Sequence, residues 1–271
     1  MSNPRLPAEI LDYIVDHLHD TEDALRNCSL VSKSWIPRTR KHLFAYIWFP
    51  TAESLQSWKA TFPDPLISPA RHAKTLLIDC PQVVTAADAD AEAGGWITGF
   101  SRVVHLEVGA RGSFVDPVSF TPFHGFSPII KSLCVTLFSL SSPHIFNLIL
   151  SFPLLEDLTV TIHHRALAYN DDGSDWLPTA TQSSSPPMFT GSLKLLSWAG
   201  AQHIAHWLLS LPGGIRFRKF IGRWSRGEEL LLMMALVERC SHTLESLNIT
   251  CGRLSKSIQH LRPHKIVHNC L

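Results

Sequence analysis

The side chains with the widest chemical repertoire in this 271-residue chain are its 15 histidines and 6 cysteines. His260, His264 and His268 recur every four residues, a spacing that stacks side chains along one helix face. Cys240, Cys251 and Cys270 flank them. Finger-type zinc sites pair cysteines two to four residues apart. Here Cys240 and Cys251 are eleven positions apart, and Pro263 interrupts the helix. The cluster therefore reads as a polar tail, and no metal or other cofactor is expected. His203 and His206 bracket a helical turn beside Trp207 and read as a helix face. His163 and His164 adjoin a strand end, where neighbours point to opposite faces.

Nucleophile and phosphate motifs are missing: there is no GxSxG elbow, no GxxxxGK loop and no GxGxxG fingerprint. No catalytic residues are assigned, and no enzymatic activity is expected. Arg216, Arg218, Lys219, Arg223 and Arg226 crowd one stretch, with Phe217, Phe220 and Trp224 between them. Such a mixture can bind phosphates or single-stranded nucleic acid. If residues 217–221 form a strand, however, Phe217 shares a face with Lys219 and Arg218 with Phe220, so the charges make no single stripe. The stretch reads as a solvated edge, with contact to an acidic partner as the second reading.

The composition is that of a weakly charged, core-rich protein. Hydrophobic residues make up 45%, charged residues only 17%, and the formal net charge is +1, so no global attraction to nucleic acid or anionic membrane follows. Arg5, Glu9, Asp12 and Asp16 interrupt any signal-peptide core, and Lys131, Pro143 and Pro153 break the most apolar stretch, Ile129 to Leu155. Cys28, Cys80, Cys134, Cys240, Cys251 and Cys270 show no CxxC spacing and read as reduced thiols in a cytoplasmic or nuclear protein.

Two kinds of element must position whatever function there is. From Leu6 to Trp35 the pattern is short helices. Pro7 suits a first helical position, and Ile10, Leu11, Ile14, Val15 and Leu18 form one apolar face with Glu9, Asp12 and Asp16 kept off it. Asp20 can cap a second helix whose apolar side is Ala24, Leu25 and Cys28. A third stretch carries Leu30, Val31, Trp35 and Ile36 until Pro37 ends it and starts a further turn to Leu43. Three such helices cannot enclose all these side chains, and each exposed Leu or Ile forgoes ~1.5–3 kcal/mol of burial. Part of this surface must meet the next domain or another protein.

Leu6-Pro7, Glu9-Ile10, Ile14, Leu18, Leu25 and SLVSKSW at Ser29 to Trp35 resemble the F-box signature. The trailing PRTRKHLFAYIWF, Pro37 to Phe49, is similar to the form common in large families of mushroom-type fungi, so the likeness covers about 44 residues. The resemblance implies docking to the Skp adaptor of a cullin–RING ubiquitin ligase. It implies that Leu6, Pro7, Ile10, Leu11 and Ile14 lie at the adaptor surface, with Leu25, Val31 and Trp35 at or just behind it. Which of these are contacts and which pack internally stays open, as it does for Leu30.

From residue 73 onward a pattern of apolar, two residues, apolar, one residue, apolar returns. It occurs at Ala73/Leu76/Ile78, Val103/Leu106/Val108, Ile130/Leu133/Val135, Leu155/Leu158/Val160, Leu193/Leu196/Trp198 and Leu244/Leu247/Ile249, with a partial copy at Phe217/Phe220. The central positions are 30, 27, 25, 38, 24 and 27 residues apart, near the 20–29-residue period of leucine-rich repeats. Asn170 to Pro187, acidic and rich in Ser, Thr and Pro, accounts for the long interval as an inserted loop. Helical patterns at Pro143 to Phe152, Gln202 to Leu211 and Gly227 to Cys240 each precede a strand. The Asn or Cys expected at the strand-to-turn corner of such repeats is missing, with Pro81, Arg111, Phe138, His163, Ala201, Ser225 and Gly252 at those places.

The expected architecture is α/β. An F-box helical module over residues 1–50 is followed by an irregular leucine-rich-repeat-like solenoid over 51–252 and a polar tail over 253–271. The expected function is a substrate receptor, in which the module docks the Skp adaptor and the repeats present a target protein. The alternative is a repeat-type binding protein whose F-box-like helices only cap the solenoid.

Overall fold

A computed structural model describes residues 7–81, 84, 95–109, 121–126, 129–137, 144–162, 189–197, 201–211, 213–224 and 227–251. The chain begins with helices α1 (Ala8–His17), α2 (Glu22–Val31) and α3 (Ile36–Leu43), with a 3-10 turn over Lys33–Trp35 between the last two. Pro7 stands at the N-cap of α1, where its carbonyl accepts the amides of Ile10 and Leu11 at 3.1 and 3.3 Å. The cap of α2 is Thr21, not Asp20, and it makes no side-chain cap bond. Pro37 falls in the first turn of α3, where an absent N–H leaves no orphan donor.

Among the described residues eight strands follow: β1 (Tyr46–Phe49), β2 (Thr75–Ile78), β3 (His105–Gly109), β4 (Ser132–Leu137), β5 (Asp157–Ile162), β6 (Ser192–Ser197), β7 (Lys219–Trp224) and β8 (Ser246–Cys251). They form one open sheet in sequential order, and every pair is parallel. Helix α4 (Ala52–Thr61) lies between β1 and β2, α5 (His144–Leu150) before β5, α6 (Ala201–Ser210) before β7 and α7 (Gly227–Arg239) before β8. The expected α/β arrangement of parallel strands alternating with helices is what the chain adopts. β1 lies within residues 1–50 and is already part of the sheet, so the helical module passes directly into the first repeat. Residues 253–271 and 170–187 lie outside the described residues.

The register explains the periodicity. Ile47, Leu76, Leu106, Leu133, Leu158, Leu193, Phe220 and Leu247 are aligned across the sheet. Each projects to one face, where all but Leu247 at the open end are buried. Two residues on, Phe49, Ile78, Val108, Val135, Val160, Leu195 and Ile249 make a second buried ladder. A lone helix–strand unit could not hide these side chains; stacked neighbours hide them from one another.

Two sequence readings are corrected by this register. The first is the copy Leu193/Leu196/Trp198, which is out of phase. Leu193 aligns with Leu158, and Leu195 with Val160, while Leu196 points to the opposite, exposed face. The leading apolar place is taken by Phe189, whose φ of +36° is unusual for a bulky residue. Its buried ring lies 5.2 Å from that of Phe217, the leading residue of the next repeat. Leu158 and Leu193 are then 35 residues apart and Leu193 and Phe220 are 27, which restores the period after β6. The second correction concerns residues 217–221. The strand starts only at Lys219, so Phe217 and Phe220 are both buried while Lys219 points outward.

At Gly222 the second ladder lacks a side chain. A Cβ there would lie 2.9 Å from Met233 Sδ and 2.8 Å from the Phe220 ring, so α7 fills the space that an apolar side chain fills elsewhere. The strand starts share a further device. One carbonyl accepts two successive amides of the next strand: Ala45 from Lys74 and Thr75, Lys74 from Val104 and His105, Val104 from Lys131 and Ser132. The pattern returns at Lys131, Gly191 and Arg218. Between β5 and β6 the side chain of Asp157 takes over, accepting the Ser192 amide at 2.6 Å and its hydroxyl at 2.7 Å.

Candidate functional site

The helical module owes its shape to few buried atoms. Val15 of α1 and Leu25 of α2 are buried, as is Thr39 of α3, whose hydroxyl donates to the Trp35 carbonyl at 3.0 Å. A polar clamp supplies what packing does not. Asp16 on α1 accepts a two-pronged contact from Arg38 on α3, with Nε 2.6 Å from Oδ1, and Nε2 of His42 lies 2.7 Å from the same oxygen. Hydrogen bonds from Arg38 and then His42 hold the Asp16 carboxyl well below the usual carboxylate range. Asp16 thus ties the first helix to the third across 22 and 26 residues of chain.

The apolar face anticipated on α1 splits in two. Val15 is buried and Leu11 and Leu18 are half-buried, whereas Ile10 and Ile14 are exposed. Tyr13, three residues after Ile10 and therefore on the same face, is 64% exposed. At the end of α2, Leu30 and Val31 are 84% and 72% exposed. No described element covers these five side chains.

Of the residues expected at the adaptor surface, Pro7, Ile10, Ile14 and Val31 are exposed and Leu11 and Trp35 half-buried. Leu25 is interior, and Leu6 lies outside the described residues. Tyr13 was not singled out from sequence, although its i+3 spacing from Ile10 could have placed it. Leu30, for which an internal position stayed open, is the most exposed large apolar side chain of the module. The Asp16 clamp had no local signal at all.

Comparison with protein-family models places residues 4–36 in the F-box domain family. The chain carries an F-box. Its F-box spans α1, α2 and the 3-10 turn after it, and thus takes in every exposed apolar side chain just described. The F-box domain is the element through which such proteins bind a Skp-type adaptor in cullin–RING ligases of the SCF type. Comparisons with curated proteins and with solved structures gave no significant match.

Downstream of the F-box, the sheet face opposite the helices is lined by alternate residues of each strand. Toward β1–β3 it carries Tyr46, Trp48, Leu77, Asp79 and Glu107. Trp48 Nε1 donates to Asp79 Oδ2 at 3.0 Å, and Asp79 is buried. Gly109 on β3 leaves room for that carboxylate, since a Cβ would stand 2.5 Å from Asp79 Oδ1. At mid-sheet the Cys134 thiol is pushed up to about 11, first by burial and then by Glu107, so it stays a thiol at neutral pH.

The chemical clusters raised by the sequence contribute little. His163, His164, His260, His264 and His268 lie outside the described residues, and His206 is exposed on α6. Among the described residues no group of three His, Cys, Asp or Glu side chains could hold a metal ion, and no helix is long and apolar enough to cross a membrane. An open cleft of about 530 Å³ between the Gly213–Gly214 turn and the end of α7 brings Arg216, Arg239 and His242 near Glu238. It contains no nucleophile paired with a base.

Proposed function

We propose that this F-box protein is a substrate receptor. In this reading its α1–α2 surface docks a Skp-type adaptor, and its leucine-rich-repeat-like sheet holds a target protein for ubiquitination in the cytoplasm or nucleus. The observation that carries the reading is the set of exposed apolar side chains, Ile10, Tyr13, Ile14, Leu30 and Val31, on the helices that match the F-box. Burying one such side chain is worth ~1.5–3 kcal/mol, and no described part of this chain buries them. Pro7 and Leu11 belong to the same proposed contact set, as does Leu6 outside the described residues, while Val15 and Leu25 are buried behind the helices. The likeness of residues 37–49 to the fungal form of the family supports a place among those receptors.

The mechanism is proximity. Holding a target lysine beside a ubiquitin-charged enzyme raises its effective concentration, with no covalent step on this chain. The test is co-purification with a Skp-type adaptor. Wild type retains the adaptor, while an Ile10→Asp/Ile14→Asp/Val31→Asp variant loses it by at least about a hundredfold, because each buried carboxylate costs several kcal/mol. Equal retention by wild type and variant removes the assigned surface. No retention by either leaves the helices as a mere cap on the repeats.

A further inference from the structure

The β8 end of the sheet is less closed than the rest. In the repeats of β2 to β7 the leading and central residues of the apolar spacing, from Ala73 and Leu76 to Phe217 and Phe220, are at most 1% exposed. Their counterparts beside β8, Leu244 and Leu247, are only half-buried. Among the described residues β8 has a strand neighbour on one side alone. Helix α7 adds a flank to this opening. At 3.6 residues per turn Leu230, Met234 and Val237 share one side of the helix, and Arg239 stands on the opposite side. Arg239 lies against the turn that precedes β7, where a Cβ at Gly214 would be 3.4 Å from its Nε. The side of Leu230, Met234 and Val237 therefore faces away from the β7 repeat. Met234 is 41% exposed there, and Leu230 and Val237 are half-buried. No described element follows β8 to cover them.

We infer that this flank is the docking site of the chain's own segment 254–261, which lies outside the described residues, and that the segment closes the β8 end as a helix. The step of the fold leads it there. Helices α4, α6 and α7 start three or four residues after the strands before them, β1, β6 and β7. The same step from Cys251 reaches Leu254 or Ser255. From there Leu254, Ile258 and Leu261 recur at i, i+4 and i+7, with Lys256, Gln259, His260 and Arg262 off that side and Pro263 as the stop. Leu230, Met234 and Val237 have the same spacing, so the two apolar stripes match in length. A second copy of the chain fits less well. Five apolar side chains, four of them half-buried, fall short of the ~800 Å² per partner of a stable interface. A segment tethered a few residues away needs no such area, because its effective concentration is on the order of millimolar.

The test is hydrogen exchange on the whole 271-residue chain, read on peptides from α7 and β8, where local opening is reported directly. Leu254→Asp/Ile258→Asp/Leu261→Asp speeds their exchange about tenfold or more, because a carboxylate cannot be buried there without a partner, and leaves β2 to β5 unchanged. Lys256→Ala/Gln259→Ala/Arg262→Ala, on the other side of the segment, stays within about twofold of wild type. A second measurement does not depend on stability. Met234→Cys/Ile258→Cys, treated with a short bismaleimide, gives a crosslink between positions 234 and 258 of one chain, mapped by mass spectrometry. Equal exchange in wild type and the aspartate triple overturns the proposal, and so does the lack of that crosslink. A crosslink between two chains, or protection that grows with protein concentration, assigns the flank to a second copy and overturns it too. Neither readout involves the F-box, so failure here leaves the receptor reading untouched.

Discussion

The helical module and the sheet reach stability in opposite ways. Over residues 7–45 two apolar side chains, Val15 and Leu25, are buried, and five large ones are left in solvent. In the sheet, two aligned ladders and a layer of helices bury Leu, Ile, Val and Phe at almost every repeat. No described residue buries those five side chains of the module, and the Asp16 clamp ties the first helix to the third. The sheet buries its ladders against its own helices, and its opposite face carries polar side chains such as Ser192, Asn248 and Thr250.

The sharpest way to break this contrast is to shorten one side chain in each region. Leu133 is fully buried in the centre of the sheet, so Leu133→Ala is expected to cost about 2–5 kcal/mol, through lost transfer energy and a cavity that neighbouring strands cannot close. Ile14→Ala is expected to change the stability of the free chain by no more than about 0.5 kcal/mol, because the side chain is already exposed. In complex with the adaptor, the second substitution becomes the costly one for assembly. Urea denaturation with and without adaptor measures both. Equal costs in the free chain would mean that α1 packs against something in the molecule itself.

A smaller effect tests how tightly the ladders are matched to the helices. Gly222→Val restores a branched aliphatic side chain, as at Leu195 and Ile249 on either side, but drives Cγ atoms into Met233. The expected cost of this overpacking is about 1–3 kcal/mol. Met233→Ala alone leaves a void, and the double variant recovers most of the loss, a coupling that a double-mutant cycle reads directly. Additive losses would show that the glycine serves the backbone and not the space.

Much of this organisation was legible in the residues. The repeated apolar spacing predicted seven of the eight strands, because aligned neighbours must bury the same positions of each repeat. The strand that it missed, β1, was hidden in the tail of the helical segment. Phe44, Ile47 and Phe49 carry the same spacing, but the likeness of residues 37–49 to a family tail drew them into the module. The phase error at Leu196 has a different cause. In KLLSW, three apolar residues fit two registers, and only the pairing of Leu193 with Leu158 distinguishes them. The cations were misread for a related reason. Strict alternation was applied across residues 217–221, whereas the chain enters β7 from a bend that buries both Phe217 and Phe220. At the F-box the type of surface was readable, yet its inner and outer halves depend on how the three helices meet.

That meeting yields the smallest and most specific expectation. The Asp16 carboxyl is held below the usual carboxylate range by Arg38 first and His42 second, with Asp12 also within reach of Arg38. A carboxyl that is more acidic folded than unfolded stabilises the fold above its unfolded pKa, about 3.9, and loses that contribution as pH falls further toward its folded value. Hydrogen exchange of the α1 amides is the suitable probe, since it reads local opening where global denaturation would not. Asp16→Asn is expected to speed α1 exchange relative to wild type at pH 6 and to leave the sheet unchanged. The ratio of the two rates should fall toward one only below about pH 4, as the carboxyl begins to protonate in the opened state. A ratio of one already at pH 6 would mean that the clamp does not hold α1 to α3. A ratio that stays high throughout the acid range would mean that asparagine disturbs the helix by itself, and that the charge on Asp16 is not what fixes the F-box before its partner arrives.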